Sequence, residues 1–471
     1  MKQEFLGTFL KISDVRTVVF LVVLAALFYG MHVLYRKKKM SFSKVVLIGT
    51  GLGLLLGIAI QAVAGFPEEP TQVVWIQEIS NWYQLFGSGF LHLIRMIVVP
   101  LVLASICHVI INLQQGKTMG RLVKYTVFIT LAMVALSSVV GILVGLVLRV
   151  GVGEEIVTNV ATEAKEVSSV ATTLLNLIPD NIAYAMVDSN ILGVVIFAAI
   201  FGTAVWWINQ EDKQLAKPLY SGINAFHKAM VNMADLILDY MPWAVICMLA
   251  NTIANRGISA ILGVGKFIIA VYVAVAIQFC IHLVLLLLHG CNPICYLKKA
   301  ASTMLFAFTS RSSVGCLSST IGTLTDKMGV NNSTATFVAS FGTTAGMQGC
   351  AGVFPSLLIV YVCHITGVAF DFTTAVMTVI VVSIGSLGIA GIPGTATMAA
   401  SVSLSGIGMG AQFSTISPIL AIDPIIDMPR TLLNVCGSMI NAVIIDKKLG
   451  TFDSKEYHDM RQWESENTSK K

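Results

Sequence analysis

The stretch Asp423–Ser438 reads DPIIDMPRTLLNVCGS and places two aspartates, an arginine and several small polar side chains in an otherwise apolar region. Its polar residues recur every three or four positions, which is the spacing of one face of an α-helix. That face holds Asp427, Arg430 or Thr431, Asn434 and Ser438. The opposite face is apolar. The stretch therefore predicts a helix with one charged face, which a helix that only crosses lipid does not need.

The composition of the chain is that of a membrane protein. Of its 471 residues, 56% are hydrophobic and only 12% are charged, and its mean hydropathy is +0.81. Soluble domains carry about 25% charged residues, so this chain has too few charges to cover a water-facing surface. A net charge of +5 without a long basic block also argues against nucleic acid as a partner.

The N-terminal apolar run, 17–35, is followed by Arg36-Lys37-Lys38-Lys39 and has no small-residue cleavage site. Charge after the run, not before it, indicates a retained helix and not a signal peptide. The positive-inside rule places the charged end in the cytoplasm and the N-terminus outside. Residues 1–43 are therefore predicted to form a transmembrane helix and a basic cytoplasmic linker.

Apolar runs near the ~20 residues that span a bilayer recur up to residue 300. They lie at about 17–35, 44–64, 83–112, 122–150, 190–208, 220–252 and 265–288. Connectors rich in lysine and arginine alternate with connectors rich in glutamate, and counting spans places every basic connector on the cytoplasmic side. We expect six spanning segments within 44–300.

The pattern changes after residue 300, where 302–323 and 376–410 each join two short apolar arms through a Ser/Gly-rich turn. Such segments are typical of re-entrant hairpins, because non-helical backbone at membrane depth needs protein or a water-filled cavity around it. Each hairpin precedes an interrupted helix, 331–362 or 414–446. The repeated unit predicts an inverted repeat with a binding site at the midplane, within 301–450. The polar cytoplasmic tail is 451–471, and we expect disorder from Asp453 onward.

An ionisable side chain near the bilayer centre costs about 2.5–3.5 kcal/mol on insertion scales, so it usually serves a function. Asp427 can receive an ammonium group and Arg430 can clasp a carboxylate. Thr431, Asn434 and the backbone N–H groups of the hairpin turns can add hydrogen bonds. These parts predict a receptor for a zwitterion with a further anionic group. The alternative is that Asp427 and Arg430 only neutralise one another.

Other polar residues have open roles. Arg311 is expected to approach the ligand or, in the empty site, to pair with an aspartate of the last helix. Pro429 has no backbone N–H. It is expected either to break the helix locally beside Asp427 and Arg430 or to produce only an inconsequential kink. His92, His108 and His282 are interpreted as satisfied interior histidines.

The order of these motifs resembles the dicarboxylate/amino acid:cation symporter family, which has the glutamate-transporter fold. The match covers about residues 44–446 and rests on TSRSSVG, the glycine-rich helix, AGIPGTAT and DMPRTLLNVCGS, which is similar to the family pattern D-M-x-R-T-x-x-N-V-x-G. FTSRSS, GCAGVFPSLL and the extra N-terminal helix look most like a bacterial branch that takes up L-cystine.

The resemblance implies an all-α polytopic membrane protein with about nine transmembrane helices and two re-entrant helical hairpins. It also implies a homotrimer in the bacterial inner membrane, with the C-terminus in the cytoplasm, in which a transport domain moves like an elevator against a scaffold. The predicted partners are lipid, a small solute and a coupling ion. No cofactor or resident metal is predicted.

The resemblance also implies a substrate site in which Asp427 binds an ammonium group and Arg430 a distal carboxylate. Its remaining members are Arg311, Ser312, Ser313, Gln348, Ile392, Pro393, Gly394, Thr431 and Asn434. L-Cystine fits this site because it carries an amino-acid head at both ends.

The chain departs from the family where sodium-driven relatives bind sodium. Their N-M-D-G motif is here Gly346-Met347-Gln348-Gly349, and their closing G-D is Gly437-Ser438. Two carboxylates and an asparagine are therefore missing, although a hard cation prefers dense oxygen coordination. A third site, built largely from carbonyls in relatives, involves the set Thr344, Met347, Ser386, Leu387 and Ile389.

The missing ligands favour proton coupling, with Asp423 as the candidate carrier because burial and a neighbouring carboxylate favour its neutral form. We predict a secondary transporter that imports L-cystine by proton symport. The alternative is a sodium- or proton-coupled symporter of glutamate, aspartate or dicarboxylates. A channel would show a filter sequence, and thiol chemistry at Cys316, Cys350 or Cys436 lacks an adjacent histidine or lysine, so an enzyme is not predicted.

Overall fold

A computed structural model describes residues 12–40, 42–112, 117–153, 178–188, 190–257, 259–389 and 395–460. Helices dominate these residues, as lipid requires, because each backbone N–H and C=O must find its partner inside its own segment. In chain order they are α1 (Val15–His32), α2 (Phe42–Ala64), α3 (Val74–Ile111), α4 (Lys117–Val147), α5 (Ile182–Val187), α6 (Ile191–Glu211), α7 (Lys213–Leu238), α8 (Met241–Arg256), α9 (Ser259–Leu288), α10 (Pro293–Ser310), α11 (Leu317–Gly322), α12 (Asn332–Thr344), α13 (Phe354–Thr366), α14 (Phe372–Gly385), α15 (Thr395–Gly406), α16 (Ser417–Ala421), α17 (Asp423–Leu449) and α18 (Ser454–His458).

Within the described ranges, eight helical spans are long and apolar enough to cross a bilayer, or up to nine if the bent pair α7–α8 forms one span. Helix α1 continues as a π-helical turn to Lys37 and is one of these spans. The architecture agrees with the predicted all-helical polytopic membrane protein.

The predicted span 220–252 is not one straight helix, because α7 and α8 meet there at an angle of 53°. Pro242 lies in the first turn of α8, where its missing N–H leaves no hydrogen bond unmade. Asp239, at the end of α7, accepts hydrogen bonds from Tyr35 (2.8 Å) and Arg36 (3.2 Å). These two hydrogen bonds therefore connect the bend between α7 and α8 to the C-terminal end of the N-terminal helix.

Helices α10 and α11 form a helical hairpin. Thr303 Oγ1 is bonded to Ser319 Oγ at 2.7 Å and to Thr323 Oγ1 at 2.8 Å, which holds the two arms together. Arg311 begins the turn with a φ of 56°, a left-handed conformation that is uncommon outside glycine. That this hairpin enters and leaves the membrane on one side stays a prediction.

Helices α14 and α15 flank the predicted second hairpin tip. A Cβ on Gly385 would lie 2.8 Å from Val402 Cγ1, so the glycine permits close packing of the two arms. The tip, with the predicted site residues Ile392, Pro393 and Gly394, lies outside the described residues.

The predicted interruption of 331–362 is present: α12 ends at Thr344, and a π-helical turn at Gln348–Val353 leads into α13. The second interrupted helix breaks at Ile422, between α16 and α17. No break occurs at Pro429, through which α17 runs continuously. In place of the hydrogen bond that this proline cannot donate, the carbonyl of Ile425 accepts one from Tyr272 Oη at 3.2 Å.

The prediction of disorder from Asp453 onward is wrong for α18, whose Tyr457 is fully buried. Lys299 Nζ donates to the carbonyls of Lys327 (2.7 Å), Glu456 (2.7 Å) and Tyr457 (2.9 Å). The ammonium group thus joins α18 to both arms of the first hairpin. Composition indicated a polar tail, but one aromatic side chain and a lysine from another helix fix its position.

Replacing the buried side chain in Tyr457→Ala should destabilise the protein by about 3 kcal/mol, the usual cost of removing a buried aromatic ring. Thermal unfolding in detergent, followed by tryptophan fluorescence, measures the change. Lys455→Ala removes an exposed side chain of the same helix and serves as the control. Equal unfolding temperatures for the two variants would contradict the docking of α18.

Candidate functional site

The polar face of α17 is buried in the protein. Asp423, Asp427, Arg430, Thr431, Asn434 and Ser438 are each at most 7% exposed. Helices α4, α9, α10 and α12 and the turn Gln348–Val353 pack around α17. The face that helical spacing predicted therefore points at neighbouring helices of the same chain.

Four charged side chains form a chain of ion pairs. Arg430 Nη2 donates to Asp423 and, at 3.2 Å, to Asp427 Oδ1. Arg311 Nε donates to the other oxygen of Asp427 at 3.3 Å. Of the two roles considered for Arg311, pairing with an aspartate is the one observed. The charges sum to zero, which is the condition under which buried ions are tolerated.

The guanidinium group of Arg430 has one nitrogen without a hydrogen-bond partner. Its Nε donates to the carbonyl of Ile426 at 3.0 Å, and its Cζ lies 4.3 Å from the ring centroid of Phe354, a cation–π contact. Nη1 is buried and has no partner among the described residues. An unsatisfied buried donor costs about 1–3 kcal/mol, so Nη1 is a favourable position for an added anionic group.

Asn434 holds the glycine-rich turn against α17. Its Oδ1 accepts hydrogen bonds from the backbone N–H groups of Gly349 (2.7 Å) and Cys350 (3.2 Å), and its Nδ2 lies 3.1 Å from Cys350 Sγ. Thr431 Oγ1 donates to Asp427 at 3.3 Å. Thr431 is thus part of the ion cluster, whereas the described bonds of Asn434 orient the turn.

The predicted residues of the first hairpin divide into two groups. Arg311 reaches Asp427 from its left-handed position. Ser312 Oγ accepts from the N–H of Gly315 at 3.0 Å, a bond within the turn, and Ser313 is buried. The structure therefore brings the hairpin to the cluster through an arginine side chain.

Gln348 points elsewhere. Its Oε1 lies 2.5 Å from His282 Nε2 and 3.3 Å from Gln278 Nε2, both on α9. Its described hydrogen bonds therefore join the turn to α9 and not to the aspartates, although Gln348 was predicted to bind substrate.

The segments of the possible residual cation site meet where the N–H of Gly346 donates to the carbonyl of Ser386 at 3.1 Å. Met347 and Ile389 are buried in one apolar cluster, against which Leu387 packs. The side chain of Thr344 lies outside the described residues.

Sequence reasoning did not assign Cys350 and Phe354 to the substrate site. Cys350 Sγ lies 3.7 Å from Asp427 Oδ1, and Phe354 lies against Arg430. The two are four residues apart, a spacing that places side chains on one helical face. This four-residue spacing could have been read from the sequence. It does not indicate, however, that the apolar ring of Phe354 lies against a charged side chain.

The profile of the sodium:dicarboxylate symporter family matches residues 42–448. The chain belongs to this family. An L-cystine uptake protein TcyP from Bacillus thuringiensis (strain Al Hakam) is 34% identical to this symporter over 458 residues, which is 94% of this chain and 96% of the relative. The protein of the same name from Bacillus licheniformis is 33% identical over 456 residues, with the same coverage. An uncharacterized symporter from Haemophilus influenzae is 35% identical over 430 residues, covering 88% and 96%.

These findings confirm the resemblance drawn from the motifs. The protein is a multi-pass membrane transporter of the cation-coupled amino acid and dicarboxylate class. The ion cluster of α17 lies within the matched residues of this symporter.

Gly349→Ala should separate the turn from α17, because a Cβ at this position would lie 2.8 Å from Arg430 Cα. We expect a loss of about 1–3 kcal/mol in stability, as for other insertions into packed interiors. Thermal unfolding of the purified symporter measures it. In Gly222→Ala the new methyl group meets no atom within 4 Å and alanine favours the helix, so this variant should be at least as stable as the wild type. Wild-type stability in Gly349→Ala would show that the turn and α17 are not in contact.

Proposed function

We propose that this symporter imports L-cystine across the bacterial plasma membrane together with protons. The single observation that carries the proposal is the buried ion cluster of α17, in which one guanidinium nitrogen has no partner within the described ranges. The names of the Bacillus relatives support L-cystine as the solute.

Arg430 is the proposed carboxylate receptor. Its Nη2 is engaged by two aspartates, and its Nη1 is a buried donor without a partner among the residues that the structure describes. A carboxylate at Nη1 forms a charge-assisted hydrogen bond, about twice as strong as a neutral one. Phe354 beneath the guanidinium plane restricts its orientation, so the donor is positioned before the solute arrives.

Asp427 is the proposed ammonium receptor. Arg311, Arg430 and Thr431 donate to it at 3.2–3.3 Å, and an ammonium group can replace the Arg311 contact without leaving the carboxylate unpaired. Release of Arg311 would also free the turn of the first hairpin. L-Cystine supplies ammonium and carboxylate groups at both ends, so one molecule can occupy both receptors.

Asp423 is the proposed proton carrier because it shares Arg430 with the solute. We propose that a solute carboxylate bound at Nη1 draws the guanidinium group of Arg430 away from Asp423, which then becomes a buried carboxylate without a cation. Such a group takes up a proton more favourably than it stays charged. Solute binding and proton uptake are thereby coupled at one guanidinium group.

The remaining predictions complete the proposal. We place the scaffold within 44–300 and the moving substrate-binding core within 301–450, in a homotrimer that works by an elevator mechanism. The N-terminus lies outside and the C-terminus in the cytoplasm. The tips of both hairpins line the site, and the carbonyl-rich segments near Met347 and Ser386 are a possible residual cation site.

A second candidate is transport of glutamate, aspartate or dicarboxylates, coupled to sodium or protons. The description of the family as sodium:dicarboxylate symporters favours it, and Arg430 alone accounts for selection of acidic solutes. Its weakness is the absence from this sequence of the sodium-ligating carboxylates named above.

Uptake of radiolabelled L-cystine into proteoliposomes discriminates between these candidates. We expect excess unlabelled L-cystine to suppress uptake and excess glutamate to leave it unchanged. An inward proton gradient should drive accumulation and a sodium gradient should not. Arg430→Lys retains the charge but loses the planar fork, so its uptake should fall. Suppression by glutamate, or dependence on sodium, would support the second candidate.

Asp423→Asn should abolish accumulation driven by a pH gradient and retain exchange of internal for external L-cystine, because the solute receptors remain. With one proton per solute, the wild type should accumulate about tenfold for each pH unit of gradient, and the variant should reach no more than the external concentration. Asp188→Asn removes an exposed carboxylate and is the matched control. Wild-type accumulation in Asp423→Asn would exclude this carrier.

A further inference from the structure

Four consecutive basic residues, 36–39, end the first span and lie exposed on the protein surface. We call them the basic turn. Only residues 38–41 separate the π-helical turn that ends at Lys37 from α2, which begins at Phe42. Both flanking helices are long and apolar enough to cross a bilayer. A connection of this length cannot carry its side chains far into water, since each residue spans at most about 3.6 Å. The four cations therefore lie at the depth of the lipid headgroups.

Most of the charge of the basic turn is not neutralised by carboxylates. Arg36 Nη2 pairs with Asp239 at 3.2 Å. Lys37 Nζ lies 6.0 Å from the ring centroid of Tyr29, a cation–π contact. Within the described ranges, none of the three lysines of the turn is paired with a carboxylate. An ammonium group has three donors and no acceptor, so water or an external anion must complete these groups.

The neighbouring charged residues leave this corner of the protein positive. Asp239 is engaged by Arg36 and by Tyr35, and Asp235, one turn earlier on α7, is exposed. Lys44, in the first turn of α2, is also exposed and adds a further positive charge. The two aspartates therefore cannot balance the basic turn together with Lys44, and the corner attracts anions.

Aromatic side chains mark the same depth in the membrane. The ring centroid of Tyr35 lies 6.2 Å from that of Trp243 and 6.3 Å from that of Phe42. Trp243 Nε1 donates to the carbonyl of Phe28 at 3.1 Å, and Tyr240, 6.5 Å from Trp243, is exposed. Tyrosine and tryptophan concentrate at the level of the headgroups, which agrees with the depth inferred from the short connection.

The backbone of the basic turn is ordered by its own hydrogen bonds. The N–H of Lys38 donates to the carbonyl of Val33 at 2.8 Å, and the N–H of Met40 donates to that of Leu34 at 3.2 Å. Lys39 has a φ of 49°, a left-handed conformation that turns the chain toward α2. The ammonium groups therefore project from a formed turn, so an anion that binds them pays little for ordering the backbone.

We propose that the basic turn binds the headgroup of an anionic phospholipid, whose phosphate oxygens accept hydrogen bonds from the three lysines. Charge complementarity selects an anionic headgroup over a zwitterionic one, by about fivefold in affinity for each lysine near the surface. Because Arg36 joins the turn to Asp239 at the bend between α7 and α8, the bound lipid connects the first span to this bend. A ligand that binds only the folded state stabilises it. The site is separate from the ion cluster of α17, so the inference does not depend on which solute is transported.

The test adds phosphatidylglycerol, or phosphatidylcholine with the same acyl chains, to purified full-length protein in a nonionic detergent. Thermal unfolding measures stabilisation, and native mass spectrometry measures the lipid that stays bound. We expect phosphatidylglycerol to raise the unfolding temperature and phosphatidylcholine to leave it unchanged. About 0.5 M salt should weaken the effect, because the lysines are exposed. Inorganic phosphate at the same concentration should have no effect, because it lacks the acyl chains that hold a headgroup at this depth.

Replacing all three lysines of the turn by glutamine should weaken phosphatidylglycerol binding about a hundredfold, at about fivefold for each lysine. Replacing them by arginine retains the charge and should retain binding. The matched control replaces three exposed lysines of α7 by glutamine, Lys213, Lys217 and Lys228. This control loses the same total charge and should bind phosphatidylglycerol as the wild type does.

Unchanged binding in the glutamine variant of the turn would overturn the proposal. An equal loss in the control would overturn it as well, because net charge alone would then account for binding. Equal stabilisation by phosphatidylcholine or by inorganic phosphate would exclude an anionic headgroup as the ligand. If the triple variant does not insert or fold, Lys38→Gln decides, since it retains the other three cations of the turn. Binding about fivefold weaker than in the wild type supports the proposal, and unchanged affinity overturns it.

Discussion

The pairing of Arg430 with two aspartates determines how the rest of this protein is arranged. A guanidinium group in the middle of a helical membrane protein is tolerated only with carboxylates beside it, and both carboxylates lie on the same helix, α17. The second cation, Arg311, comes from a hairpin turn in a left-handed conformation. This conformation ends α10, as a left-handed residue ends many helices, and from it the Arg311 side chain pairs with the second oxygen of Asp427.

Close packing around α17 follows from the same requirement. The charged face must be shielded from lipid, and Gly349 allows the π-helical turn to touch the backbone of Arg430. The turn exposes two N–H groups that no helix satisfies, and Asn434 accepts both. The π-helical turn therefore leaves neither of these two N–H groups without a hydrogen-bond partner. On its other side, the side-chain oxygen of Gln348 lies against Gln278 and His282 of α9.

The sequence predicted the parts that depend on local pattern. Helical spacing identified the buried face of α17, and run lengths identified the long apolar helices but not the bend between α7 and α8. It did not predict features that depend on a distant partner: the proline at 429 leaves α17 intact, with Tyr272 bonded beside it, and Tyr457 orders a polar tail because Lys299 joins it to the hairpin. Likewise, nothing local to Phe354 indicates that it lies under a guanidinium group. Arg430 lies within two helical turns of Asp423 and Asp427, so residue spacing could predict these pairs. Spacing could not predict which of the two aspartates pairs with Arg311, because Arg311 is distant in sequence.

The charge balance of the cluster bears on the coupling ion. With Arg311, Arg430, Asp423 and Asp427 all charged, the empty site is neutral, and a zwitterion that exchanges partners with them leaves it neutral. A sodium ion would add a charge, and the two positions at which the family resemblance leads one to expect sodium-binding carboxylates hold Gln348 and Ser438 in this chain. A proton adds the same charge but needs only a single lone pair, which a displaced aspartate would provide. The neutral side chains of Gln348 and Ser438 therefore agree with the proton coupling proposed above.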